Sequence, residues 1–459
     1  MIRTGRRKAE PTRASGRESA GARERERSGA RACGRESVFR LKTGRLCGRL
    51  AAMQKRRLPS PALFLLPALA AAILAGCSSA TAQRAPRDGA VVPLLSDAQK
   101  SYLDLPAAER REKFRDAEFR KTMKEWGDRP LPVLLRGSPG SMPGSPKPSL
   151  VIALHRTGVP GRPSMGIPFD DRTVGTNGSE RSGAARPDDI AWPNLEIGTE
   201  YEWEVETAVE DPPGSGFHSP LTRSKTFRFR TEDRAPRLLH VPGIPNARDF
   251  GGWRGLGGRR IRQGLVIRSA GLNENATPKD NPDTPGATRV TDATRAVLIG
   301  QLGVKTDIDL RWDKEVFGMT GSPLGPEVRW VRCPWSLYQW VAGDEEKATF
   351  AKILRLLLDR ENLPAVVHCI EGQDRTGTLC FLLQGLLGVS DEDKLRDWEC
   401  TGFANAHWGF RHESRLDPFL KYLATLPGET VNDRCVSYAR SCGVTDAEIA
   451  AWRELMLEP

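Results

Sequence analysis

The sequence predicts an α/β domain, with a parallel or mixed sheet flanked by helices, preceded by a small antiparallel β-sandwich. Two patterns carry that reading. Between about Leu131 and Glu232 apolar and polar residues alternate with period two and no helical stretch intervenes, as in half-buried strands packed sheet on sheet. From Leu238 to Leu457 short β-branched runs alternate with helical segments, which implies strands running mostly parallel with helices on both faces. A chain of 459 residues is long enough to bury both cores.

Taken in order, residues 1–52 are dominated by Arg, Gly, Ala, Ser and Glu without hydrophobic periodicity, so a disordered basic tail is expected. Met53 is followed by Gln54-Lys55-Arg56-Arg57, an apolar run Leu63–Leu74 and the ending Leu74-Ala75-Gly76-Cys77. A basic start, a short apolar stretch and small residues at the cut make a secretory signal, and the run is short for a membrane span. Such a signal belongs near a chain's start, so Met53 is the expected initiator and Met1–Ala52 an over-extended reading frame. Residues 78–95 read as a polar tether.

Ser96 to Trp126 reads as a helix, with Ser96 as N-cap and Leu103, Phe114, Phe119, Met123 and Trp126 as its apolar positions. Gly127-Asp128-Arg129-Pro130 stops it, so 78–130 is tether and helix. Ser138–Pro148 is rich in Gly, Ser and Pro and reads as a loop. Within the sandwich, 131–233, Ser149–His155, Tyr201–Thr207 and Lys225–Thr231 are strands. Tyr201, Trp203 and Val205 fall on one face of the second, opposite three Glu. Ala235-Pro236 links to the α/β domain, 238–457. There Leu265–Arg268, Lys305–Leu310, Val328–Val331 and Ala365–His368 are the predicted strands. Helices are expected at about 292–301, 345–360, 376–387, 391–400, 415–424 and 445–456.

The formal net charge of +11 invites a nucleic-acid partner until it is located. Residues 1–52 hold fifteen Lys/Arg against five Glu, and Lys55, Arg56 and Arg57 follow, which leaves −2 for everything beyond. The basic excess belongs to the tail and the signal, so nucleic acid is not the expected partner. Nine Cys are present, at 33, 47, 77, 333, 369, 380, 400, 435 and 442, with no CxxC pair and no His cluster beside them. A metal site is therefore not expected. Cys435 and Cys442 could pair in an oxidising compartment. Of the His residues, only His407 and His412 are close, and they miss the i, i+4 geometry of a ligand pair. Trp398, Phe403, Trp408 and Phe410 read as core or pocket wall.

The chemistry concentrates in Pro364-Ala-Val-Val-His-Cys-Ile-Glu-Gly-Gln-Asp-Arg-Thr-Gly-Thr378, which runs from strand through a tight loop into a helix. Cys369 and Arg375 bracket five residues. A loop of that length closing on a helix N-terminus turns its backbone N–H groups inward, a nest for a dianion. Ile370, Glu371, Gly372 and Gln373 would supply those amides, with Arg375 as a planar fork on two phosphate oxygens. The same amides favour a Cys369 thiolate. Gly372 lets the loop turn, Gly377 permits close packing at the helix start, and the Thr376 hydroxyl can donate to Cys369.

His-Cys-x5-Arg-Thr-Gly resembles the signature loop of the protein tyrosine phosphatase superfamily. Asn246-Ala-Arg-Asp-Phe-Gly-Gly252, Ile267-Arg-Ser269 and Asp307-Ile-Asp-Leu-Arg311 are similar to segments of the bacterial tyrosine/serine phosphatases. The likeness covers about residues 240–457. It implies a cysteine-dependent phosphatase without a cofactor, acting on a phosphorylated protein or a small phosphomonoester. It further implies Cys369 as nucleophile and Asp374 as general acid. Asp309 and Asp344 stay open as alternative acids. His368, Arg248, Asp249, Asp309 and Arg311 would support the loop. Where the family carries Lys, this chain has Gln373. That removes a charge from the pocket rim and weakens the case for multiply phosphorylated lipids or inositol phosphates; a phosphatase acting on phosphoinositides, inositol phosphates or nucleotides stays open as an alternative. A catalytically weak binding or adhesive protein is the alternative in another class.

Two looser likenesses complete the reading. Leu195–Val205 and Phe227–Thr231 resemble the last strands of a fibronectin type III domain. Leu-Ala-Gly-Cys77 resembles a lipobox, which implies a lipid on Cys77 and an extracytoplasmic, membrane-anchored lipoprotein at the periplasmic face or the outer membrane.

Overall fold

Pro106 cannot donate an N–H, and Asp116 prefers to cap rather than continue a helix. Those two residues divide the predicted 96–126 helix into three: α1 (Asp97–Asp104), α2 (Ala107–Arg115) and α3 (Ala117–Trp126). Ser96 closes the first with a reciprocal capping box to Gln99, and the Asp116 carboxylate caps the third. The structure is a computed structural model that describes residues 86–136, 149–157, 167–168, 189–210, 218–273, 288–316, 318–404 and 412–459. The basic tail, the signal with Cys77, the first part of the tether and the 138–148 loop lie outside the described residues.

Among the described residues the sandwich has two sheets. One joins β1 (Ala90–Val92), β3 (Ser149–Arg156), β6 (Glu200–Glu210), β7 (His218–Arg223) and β8 (Phe227–Thr231), in the order β1-β8-β6-β3 with β7 also on β6. The other is β2 (Val133–Arg136), β5 (Asp189–Trp192) and β4 (Ile167–Pro168). Tyr201, Trp203 and Phe229 point inward with Leu135, Leu154, Trp192 and Ile197, as the alternation predicts. One expectation changes. The end of the tether is an edge strand, β1, and it pairs with β8 in parallel, so the sandwich is not wholly antiparallel.

In the α/β part the sheet order is β12 (Arg329–Arg332), β11 (Thr306–Asp309), β13 (Ala365–His368), β10 (Val266–Ser269), β9 (Arg248–Asp249). All neighbours are parallel except β9 on β10. Successive residues of β13 serve opposite layers: Ala365 and Val367 face one core, Val366 the other. The helices are α4 (Asp292–Arg295, continued by a π turn to Gln301), α5 (Asp344–Leu358), α6 (Asp374–Leu386), α7 (Asp391–Glu399), α8 (Thr401–Ala404), α9 (Asp417–Leu423), α10 (Val431–Ser441) and α11 (Asp446–Met456). Helix α6 is buried from Arg375 to Leu386, which fixes the start of that helix rigidly. Helix α10 was not expected from sequence; only Cys435, Tyr438 and Ala439 of it are buried. Cys435 and Cys442 are free thiols. Among the described residues no helix is long and apolar enough to cross a membrane.

Candidate active site

Strand β13 delivers His368 at its carboxyl end, and Cys369–Gln373 turn from there into α6. Gly372 makes the turn at φ +69°, where an added Cβ would lie 2.4 Å from the Ser269 carbonyl oxygen; no other residue type fits. The loop carbonyls are drawn outward one by one. His368 Nδ1 lies 3.2 Å from the Cys369 oxygen. Gly271 N–H donates to Ile370 at 2.8 Å, Asn246 Nδ2 to Glu371 at 2.8 Å, and Arg268 Nη2 to Gly372 at 2.8 Å. Gly377 N–H donates to Gln373 at 2.9 Å. A peptide whose oxygen is tied on one side presents its N–H to the other. Among the described residues Ile370, Gly372 and Gln373 donate their backbone N–H to nothing. The loop is thus built as an anion cradle.

Behind it sits a buried charge cluster. Asp397, on α7, accepts from Arg248 Nε at 2.8 Å and from Arg268 Nη1 at 2.5 Å. Burial alone would raise the Asp397 carboxyl, but the two guanidiniums hold it below the ordinary carboxylate range. Arg248 also reaches Asn246 Oδ1. Asn246 and Arg268, which grip the loop carbonyls, are therefore both set by this cluster.

At the mouth, Arg375 donates to Glu315 through Nη1 at 2.6 Å and Nη2 at 3.1 Å. Its guanidinium lies 4.6 Å from the centre of the Trp312 ring. Glu315 is itself held by the Trp312 backbone N–H at 2.7 Å. Burial works against the Arg375 charge, but Cys369 and Glu315 outweigh it and raise the guanidinium above its ordinary value. Asp374 is half-buried and accepts from Tyr338 Oη at 2.7 Å. Tyr338 Oη in turn accepts from Trp398 Nε1 at 3.1 Å. Tyr338 itself sits at φ +53° and donates its N–H to Thr378 Oγ1 at 3.0 Å.

Cys369, Asp374, Arg375 and the loop amides lie together at the carboxyl end of β13, whereas other residues named from the sequence take different places. The Thr376 hydroxyl is buried without a hydrogen-bond partner among the described residues, so it makes no bond to Cys369. Gln373 is buried, not on an exposed rim, and its Oε1 is equally without a partner. Asp309 is no acid candidate by geometry. Burial pushes its carboxyl up, but His368 and Arg311 hold it below the usual range, and Arg311 binds both oxygens, at 2.9 and 2.8 Å. Asp344 stands fully exposed at the start of α5, 3.7 Å from Lys347. His368 Nε2 lies 2.8 Å from Asp307 Oδ1. Asp249 works one strand away, accepting from Arg237 at 2.8 Å and from the N–H groups of Gly251 and Gly264. Arg248 pairs with Asp397. Trp398 and Phe403 are core; His407, Trp408 and Phe410 lie outside the described residues.

Among the described residues no cluster of His, Cys, Asp and Glu is arranged to hold a metal ion. Sequence reasoning missed Arg268, Trp312, Glu315, Tyr338 and Asp397. Only Arg268 had a signal, its place in the Ile-Arg-Ser segment beside the loop.

Residues 239–458, just under half of the chain, match the model of the tyrosine phosphatase family. A provisionally named tyrosine-protein phosphatase of Cupriavidus necator is 27% identical over 209 residues, covering 38% of this chain and 70% of that protein. Among solved structures, the core catalytic domain of a PP-IP phosphatase from S. cerevisiae, in complex with citrate, aligns at 17% identity. It covers 36% of this chain and 93% of its own, with a TM-score of 0.21.

Proposed function

We propose that residues 238–457 are a cysteine-dependent phosphatase that hydrolyses phosphate monoesters, phosphotyrosine in proteins first among them. The observation that carries this is the Cys369–Gln373 loop, with its carbonyls tied outward and Arg375 at its end. The family match over 239–458 agrees with it. Cys369 Sγ attacks phosphorus in line; the S–P bond forms as the bond to the leaving oxygen breaks. Arg375 and the loop amides hold the equatorial oxygens where charge spreads, and Asp374 gives its proton to the leaving oxygen. Water then attacks phosphorus, the S–P bond breaks, and Asp374 takes the proton back, returning the thiolate.

The test is phosphate release from a small aryl phosphate by the full chain, under reductant with EDTA, beside Cys369→Ser. Chelator-resistant turnover in wild type alone is expected. A folded wild type with no turnover would make phosphate-ligand capture the better reading.

We further propose that the chain is anchored outside the cytoplasm by a lipid on Cys77, with the sandwich as spacer. The Leu-Ala-Gly-Cys77 segment supports this. Metabolic labelling with a fatty-acid analogue should mark wild type and spare Cys77→Ser; equal labelling of both would overturn it.

A further inference from the structure

The segment α1–α3 precedes the sandwich in sequence, lies outside the matched residues 239–458, and yet packs on the phosphatase half. Arg110, fully buried, reaches Glu399 and Glu392 at 2.5 Å each. Phe114 lies edge to face with His412 at 5.8 Å and tilted against Trp398 at 6.5 Å. A Cβ on Gly402 would come within 2.9 Å of Phe114 and Met123, so these side chains pack closely on α8 at that glycine. Past the end of α3, Asp128 accepts from the backbone N–H of Asn246. Asn246 is the residue whose side chain holds the Glu371 carbonyl, and it does so from a left-handed conformation, φ +59°. Outside glycine, asparagine is among the few residues that adopt this conformation readily.

We infer that Asp128 is a positioning residue for the phosphate loop. Resting on the phosphatase reading, the assignment makes α1–α3 a part of the catalytic unit. The carboxylate fixes the Asn246 backbone in the conformation from which Nδ2 reaches Glu371, and so sets the direction of the loop amides. Asp128 touches neither substrate nor Cys369 in this role. It acts through Asn246.

The experiment compares full-length wild type, Asp128→Ala, Asp128→Asn and Arg111→Ala. The last loses the ion pairs of the same segment to Glu413 and Asp417 but leaves Asn246 alone. The readouts are inorganic phosphate affinity, kcat/KM, and the rate of Cys369 alkylation against pH, resolved by peptide mass. Asp128→Ala should lose about tenfold in phosphate affinity and kcat/KM, the scale at which small misplacements act. Its Cys369 should be alkylated at a rate different from wild type, because the loop amides have turned. Asp128→Asn keeps an acceptor oxygen and should recover most of the loss, while Arg111→Ala should match wild type. Asp128→Ala with wild-type phosphate affinity and alkylation, or Asp128→Asn as impaired as Asp128→Ala, would overturn the assignment. Wild type that neither binds phosphate nor turns over would overturn the phosphatase reading instead, and the alkylation curves would still judge Asp128.

Discussion

Glu315 takes both terminal nitrogens of Arg375, at 2.6 and 3.1 Å, in the arrangement a phosphate would otherwise claim. The carboxylate fixes the guanidinium plane, yet it places negative charge beside an incoming dianion. Glu315→Gln should therefore split two effects. Ground-state binding of inorganic phosphate tightens a few-fold, while kcat falls by about tenfold because the fork loses its fixed orientation. Steady-state kinetics with product inhibition checks this; parallel loss of both quantities would show that Glu315 only supports folding.

Asp374 is the proposed acid, so its removal should matter most when the leaving group is poor. Asp374→Asn should lower kcat on an alkyl phosphate by about 10²–10⁴ and on a nitrophenyl phosphate far less. Tyr338→Phe, which removes the donor at 2.7 Å, should show the same leaving-group pattern on a smaller scale. Equal losses on both substrates would move the acid elsewhere.

Gly372→Ala forces a Cβ to 2.4 Å from the Ser269 oxygen at a positive φ. We expect a destabilisation of about 1–3 kcal/mol and loss of phosphate protection against Cys369 alkylation. Thermal melts and the alkylation assay read the two separately, and retained protection would mean the loop tolerates another turn.

His240 supplies a pH dependence of stability. Burial, with help from the Arg129 guanidinium, pushes its imidazole down to about 4. The unfolded chain then binds more protons than the folded one between about pH 4 and 6.5, so stability falls on acidification through that window and levels below it. The loss is on the order of 3 kcal/mol. Thermal midpoints across pH 4–7 should slope in wild type and flatten in His240→Gln; identical slopes would assign the effect to other groups.

The loop was legible because its signal is local. Strand, Cys369, Gly372, Arg375 and helix follow one another within a dozen residues, and each residue type answers a nearby physical need. The strands Tyr201–Thr207 and Ala365–His368 were legible for the same reason, as period-two or continuous apolar runs. The rest was set at a distance. Asp397 meets Arg248 across 149 residues and Arg268 across 129, and nothing in its own helix distinguishes it. Tyr338 lies 36 residues from Asp374, in a turn with no periodicity. β1 has only three residues, too few to show alternation, and becomes a strand because β8 offers it an edge.

The buried pair of Arg110 and Glu399 is separated by 289 residues, and that span orders events at birth. A chain made from its N-terminus shows the apolar faces of Phe114 and Met123 long before Gly402 exists to receive them. Each growing copy therefore carries an uncovered greasy surface through most of its synthesis, the circumstance in which a nascent chain sticks to its neighbours or needs an attendant holdase. Trp398, Gly402 and His412, which cover Phe114, are all made after the strand and loop that carry Cys369.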